Sequence, residues 1–172
     1  MNKKFSTLLT MGLLATSSLC GSAWAQTAPT INGIELEKVA APANNAAWTG
    51  GPYVLVADED GTLEGSDLLL QAVVSEDGKT VKYYGENLSA FATGAKLKEI
   101  TWTFTETPVK DVAGVPNGYY YTLTSAASGK PLTVNQSGDL IEKLENCKLD
   151  AANHLYTQFS VLSNDFTSRF LQ

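Results

Sequence analysis

Lys98-Glu99-Ile100-Thr101-Trp102-Thr103-Phe104-Thr105 is the stretch that decides the fold class. Apolar and polar residues alternate along it. An extended chain therefore puts Ile100, Trp102 and Phe104 on one face and Thr101, Thr103 and Thr105 on the other. A period of two is the mark of a half-buried strand. Working upstream, residues 81–84 form a short apolar-aromatic run, and Asp77-Gly78 separates it from a second run, Leu68–Val74. Asp-Gly supplies the positive backbone angles of a two-residue hairpin, so these two runs read as paired strands. Tyr53–Ala57 is a further strand, closed by the turn Asp58-Glu59-Asp60-Gly61. Downstream, residues 119–124, 130–134 and 158–162 complete the set. Residues 139–149 fit either a helix, with Leu140, Leu144 and Cys147 at spacings of four and three, or a strand pair.

The composition agrees with a packed domain. Of 172 residues, 44% are hydrophobic and 17% charged, too apolar and too weakly charged for a disordered chain. The length suits one domain. The acidic balance, 18 Asp and Glu against 12 Lys and Arg, argues against nucleic acid, whose phosphates need a basic surface. Lys3 and Lys4, the apolar stretch over residues 5–14 and Ala23-Trp24-Ala25 predict a secretory signal peptide over residues 1–25. The destination is then outside the cell, the cell surface or the periplasm. An N-terminal anchor and lipid attachment at Cys20 are the alternatives, although Leu19 stands where a lipoprotein signal wants a small residue. No other run approaches the ~20 apolar residues a spanning helix needs. Cleavage after Ala25 removes Lys3, Lys4 and Cys20, takes the formal charge from −6 to −8 and leaves Cys147 without a disulfide partner. A lone Cys reads as a small buried apolar residue, with a reactive or intermolecular thiol as the alternative. Residues 26–47, rich in Ala, Asn, Thr and Pro, read as a linker, with Ile31-Asn32-Gly33 as a turn and room for one short strand or helical turn at 34–39. Residues 48–172 form a single β-rich domain.

Two weak repeats, about 48–106 and 115–163, run through that domain. Gly51-Pro52-Tyr53-Val54-Leu55-Val56 is echoed by Asn117-Gly118-Tyr119-Tyr120-Tyr121-Thr122-Leu123, and Trp102-Thr103-Phe104 by Phe159-Ser160-Val161. The intervals, 66 residues between the Tyr pair and 57 between Trp102 and Phe159, differ by what loop insertions would add. The order Trp102-x-Phe104, then residues 118–123, then Ser128-Gly129-Lys130 with Leu132 and Val134 resembles the ricin-B-like β-trefoil repeat. That resemblance implies a β-trefoil-like fold or small barrel of short antiparallel strands, with strand aromatics in the core and a sugar pocket in some repeats. Where the family's pocket repeats place an Asp, Thr133 and Asn135 stand here. A trefoil has three units. The tail 164–172, with Arg169-Phe170-Leu171, reads as the start of a third, so the set of repeats is incomplete and the sequence resembles a piece of a longer chain. The leader and the Tyr-led and Gly-Lys-x-Leu-x-Val runs are also similar to secreted repeat proteins of gut Bacteroidales.

Few residues are equipped for bond-breaking. His154 and Cys147 lack a third group to orient a base, and one His with one Cys cannot supply the ligands of a zinc site. Asp58, Glu59, Asp60, Glu64 and Asp67 crowd together, but Asp58-x-Asp60-Gly61 does not follow the calcium-loop pattern and reads as a solvated turn. Ser125, Ser128 and Lys130 read as a hairpin turn rather than a serine-lysine pair. Neither a cofactor nor a metal is expected. The aromatics are more informative. In Tyr83-Tyr84 and Tyr119-Tyr120-Tyr121 neighbouring rings point to opposite faces, so one ring of each run should lie away from the core, where Tyr can stack on a sugar or anchor a protein. Tyr120, Asn135 and Gln136 are the candidate ligand-binding residues. The expected function is a secreted, non-catalytic binding or adhesion module for a glycan or host protein. The rivals are a structural repeat module of a larger surface assembly without a ligand pocket, and a glycoside hydrolase using paired carboxylates.

Overall fold

The computed structural model describes residues 9–14, 30–31, 34–39, 52–57, 65–91, 96–110, 113–114, 116–161 and 168–170. Among them the chain is mostly β with little helix. The strands are β1 (Leu9–Leu14), β2 (Thr30–Ile31), β3 (Ile34–Val39), β4 (Tyr53–Ala57), β5 (Leu68–Val74), β6 (Val81–Asn87), β7 (Trp102–Lys110), β8 (Pro116–Ser125), β9 (Phe159–Val161) and β10 (Ser168–Phe170). One helical turn, α1 (Leu97–Ile100), precedes β7. Every pairing between the described strands is antiparallel.

β4 is the hub. The order β10-β9-β8-β7-β4-β1-β3-β2 passes through it, and the β5–β6 hairpin also joins at β4. β1 lines one edge of β4 from Leu9↔Ala57 to Leu13↔Tyr53. The other edge is shared, by β7 at Tyr53↔Trp102 and by β5 at Val56↔Leu69. Sheet branches therefore diverge from β4, and the space between them must be filled.

Period two decides what fills it. Tyr53 and Leu55 point into one cluster with Trp102, Phe104, Tyr121, Leu123, Leu132, Val134, Leu144 and Cys147. Val54 and Val56 point into a second, with Ile31, Leu36, Leu69, Leu88, Phe91 and Ile100. A strand with both faces covered loses the polar half of its pattern, which is why β4 reads as unbroken apolar residues. Trp102 holds the branches together. Its Nε1 donates to the Leu70 carbonyl at 3.1 Å and its ring stacks on Tyr83 at 6.4 Å. Edge-on contacts of Phe104 with Tyr53 (5.2 Å) and Tyr121 (6.0 Å) continue the aromatic seam.

The chain after β8 closes over the first cluster through short backbone pairings. Leu132 N donates to Leu123 O (2.7 Å), Ile141 N to Thr133 O (2.9 Å), Val81 N to Glu142 O (2.8 Å) and Leu144 N to Lys79 O (3.0 Å).

The alternation of Trp102 and Phe104 with Thr103 and Thr105 holds, with the aromatics buried and the threonines exposed. Ile100 does not share their face. Residues 97–100 wind into α1, closed by Thr101 Oγ1 donating to Leu97 O at 2.6 Å, and Ile100 enters the second cluster instead. Two residues of apparent alternation cannot separate a strand from one helical turn. Asp77-Gly78 does turn a hairpin, but its loop is residues 76–79, between the bonded Ser75 and Thr80. A two-residue turn of that kind needs positive φ at both central positions, and only Gly78 (φ 66°) has it. Asp77 instead accepts from Ser75 Oγ (2.6 Å) and Lys79 N (3.1 Å), which builds the longer loop. Residues 130–134 make bridges only at Pro131 and Val134 rather than a continuous strand, and 139–149 are neither helix nor strand pair throughout. Leu140 and Lys143 make single bridges, and Leu144–Asn146 is a 3-10 turn. In the proline-bearing stretch before β4, β2 and β3 pair at Ile31↔Ile34, and Ile31 and Leu36 are buried. The turn expected at residues 58–61 lies outside the described residues, as does the crowded carboxylate group apart from Asp67.

Candidate functional site

The two tyrosine runs behave as neighbouring residues on a strand must. Tyr83 turns inward onto Trp102, and Tyr84 turns outward, 47% exposed. In the second run Tyr121 is in the first cluster, Tyr119 lies against it at 6.4 Å, and Tyr120 projects from the opposite face, half-buried. Among the described residues Tyr84 is the only ring in the set of exposed large hydrophobic residues, the others being Leu68, Leu140 and Leu149.

Register places Tyr84 directly opposite Gln71 on β5. The Gln71 amide is buried and donates to the Glu99 carboxylate on α1. Glu99 in turn faces Lys96 Nζ at 3.9 Å. An exposed ring, an amide, a carboxylate and an ammonium thus follow one another across β6, β5 and α1. Chemically this row offers a stacking face with donors and acceptors beside it, which suits a polyhydroxylated or polar ligand. It offers no nucleophile with a base.

The three residues singled out from sequence do not form one site through hydrogen bonds. Tyr120 lies between β7 and β9, opposite Thr107 and Ser160. Asn135 spends its side chain on its own loop. Its Oδ1 accepts from Ser137 N and Asp139 N, each at 2.9 Å, and its Nδ2 donates to Asp139 Oδ2 at 3.1 Å. Asn commonly closes loops in this way, so its polarity serves the turn. Gln136 sits exposed in that turn. The sequence signal at residues 83–84 was as clear as that at 119–121. What it lacked was the meeting of Gln71 with Glu99, 28 residues apart, which only the packing of α1 on β5 creates.

Cys147 is buried, with its Sγ against the Ile141 carbonyl (3.4 Å) and the Lys143 carbonyl (3.5 Å). Burial pushes its thiol pKa up. It also pushes up that of the Tyr83 phenol, which hydrogen-bonds the sulfur and feels the charges of Cys147 and Glu142. His154 is exposed, holds φ 54° at the end of the 3-10 turn Ala151–Asn153, and places Nδ1 3.4 Å from the Tyr156 hydroxyl. The thiol is thus inside the core while the imidazole is outside. Ser125 Oγ accepts from Ala127 N (3.2 Å) and Ser128 N (3.4 Å), and Gly129 at φ 65° completes the hairpin turn expected there. Among the described residues no group of His, Cys, Asp or Glu could hold a metal ion, and no helix is long and apolar enough to cross a membrane.

No protein-family model, curated protein or solved structure matches the chain.

Proposed function

We propose that this chain is an exported, non-catalytic binding module whose ligand is a glycan or an extracellular protein. The observation that carries the reading is Tyr84. Its ring is exposed beside the Gln71–Glu99–Lys96 row, and a tyrosine ring with polar groups at its edge is a common anchor for a bound sugar or protein. The leader pattern of residues 1–25 supports export. A trefoil-like or small-barrel arrangement is part of the proposal. It is supported by the circuit of backbone pairings from β4 through β5, β6, residues 140–144, residues 131–134, β8 and β7 back to β4. A Tyr-to-aromatic cross-strand pair recurs, as Tyr53↔Trp102 and, two residues beyond the Tyr119 that aligns with Tyr53, as Tyr121↔Phe159; this recurrence lends support to the two repeats.

A glycan array probed with the exported protein tests the reading. We expect retention on at least one class of plant, host or microbial sugar, lost in Tyr84→Ala with an unchanged circular dichroism spectrum. If retention instead falls with Tyr120→Ala and not with Tyr84→Ala, the ligand is held at Tyr120 on β8 and not at Tyr84. An empty array together with no captured extracellular protein would leave the structural-module reading.

A further inference from the structure

β1 lies within residues 1–25, the segment whose sequence reads as a removable leader, yet it is paired on both edges. Met11 to Leu14 are matched with Val39 to Leu36 of β3, and Leu9 to Leu13 with Ala57 to Tyr53 of β4. β1 is antiparallel to both, so β3 and β4 run parallel to each other with one strand's width between them. At the usual spacing of about 4.8 Å per strand, the backbones of β3 and β4 stand about 9.6 Å apart, too far to bond directly. Without β1, the β2–β3 hairpin has no described backbone pairing to the rest of the sheet and is held by Ile31 and Leu36 in the second cluster. The five β4 residues from Tyr53 to Ala57 would lose the partners they have along that edge. Unpaired buried backbone is costly, so the edge must be covered.

We infer that leader removal leaves a one-strand slot between β3 and β4, and that this slot takes up an extended, uncharged, apolar segment of another polypeptide, running antiparallel to both walls. The structure itself states the chemistry of the occupant. The segment seated there is Leu-Thr-Met-Gly-Leu-Leu, which has no charge and no proline. Strand addition of this kind draws affinity from main-chain bonds, here on both edges, and selects its occupant through the alternate side chains. Direct closure of β3 onto β4 is the competing fate. It would have to form a parallel pair, which is slightly less stable per residue than the antiparallel pairs it replaces.

This inference rests on the export reading, and the experiment separates the two. The full chain is expressed with its leader, the protein is recovered from the exported fraction, and its mass is measured. A synthetic peptide of residues 8–15 is then added. The expected result is a mass lacking residues 1–25, one peptide bound per chain, and a rise in Tm of about 5–10 °C at 100 times Kd. The same peptide carrying Gly12→Pro should give no rise, because proline removes a donor from a strand bonded on both sides. An exported protein that is unfolded alone and folds on adding the peptide also supports the slot, as does a dimer that the peptide dissociates. A correctly cleaved, folded protein that ignores both peptides, or a dimer that the peptide does not touch, overturns the slot and leaves export standing. A mass that retains residues 1–25 overturns the slot, which needs cleavage, while absence of the protein from the exported fraction overturns export.

Discussion

Trp102→Phe tests the central claim about this fold, that one indole ties two sheet branches at β4. Phenylalanine keeps an aromatic ring for Tyr83 to pack on but removes Nε1, which donates to the Leu70 carbonyl at 3.1 Å. Trp102 is fully buried, so water cannot replace that donor. An orphaned buried acceptor costs about 1–3 kcal/mol. The smaller ring leaves part of the indole volume empty, which adds about 1 kcal/mol. The expected loss is therefore about 2–4 kcal/mol, a large share of the 5–15 kcal/mol (roughly) that holds a domain together. In urea, with a slope of about 2 kcal/mol/M, the midpoint should fall by about 1–2 M. Circular dichroism is the suitable signal, because fluorescence would change with the tryptophan itself. Thr103→Ala, at the exposed neighbouring position, should stay within about 0.5 kcal/mol. A Trp102→Phe midpoint within about 0.3 M of the parent would mean that the branches are not joined at this bond, and the account of the core would fall with it.

Raising the pH should destabilise the protein from about pH 8.5, the ordinary thiol range, through the phenol range near 10. Cys147 and Tyr83 both keep their protons longer in the folded state than in the unfolded one, so the unfolded chain gains by losing them first. Urea titrations across this range should show the decline, Cys147→Ala should remove its lower part, and a flat profile counts against the buried pair. In the native protein Cys147 should resist a thiol reagent, labelling only as fast as the chain unfolds. His154→Gly should stabilise by about 0.5–1 kcal/mol in a urea melt, since the left-handed backbone there costs an L-residue more than glycine. A loss instead would show that the contact with Tyr156 outweighs the strain. Gly78→Ala and Gly129→Ala should each cost about 1 kcal/mol for the converse reason, although a Cβ at either place meets open space. Asn135→Ala should lower stability in a urea melt through its lost loop bonds, by about 1–2 kcal/mol, whatever it does to ligand retention.

Much of the β architecture was legible in the order of residues. The bounds of β4 and β5 follow directly from apolar runs closed by turn residues, and the inward and outward rings of Tyr83 and Tyr84 follow from the pleat. Local signals of this kind work because a strand's faces are fixed by period two, whatever its neighbours are. They fail where a short segment satisfies two periods at once, as Leu97–Ile100 did, or where a side chain rewrites a turn, as Asp77 did.

The sequence alone determined that this is a β-rich, acidic chain with alternating aromatic faces and no obvious catalytic constellation. Only the tertiary structure decided that Trp102 bridges β7 to β5, that Gln71 meets Glu99 beside Tyr84, and that residues 9–14 stand between β3 and β4. The physical reason is range. Backbone angles and face alternation are set by adjacent residues, whereas those three contacts are set by which distant segments bury each other, and that choice is made by the whole core together.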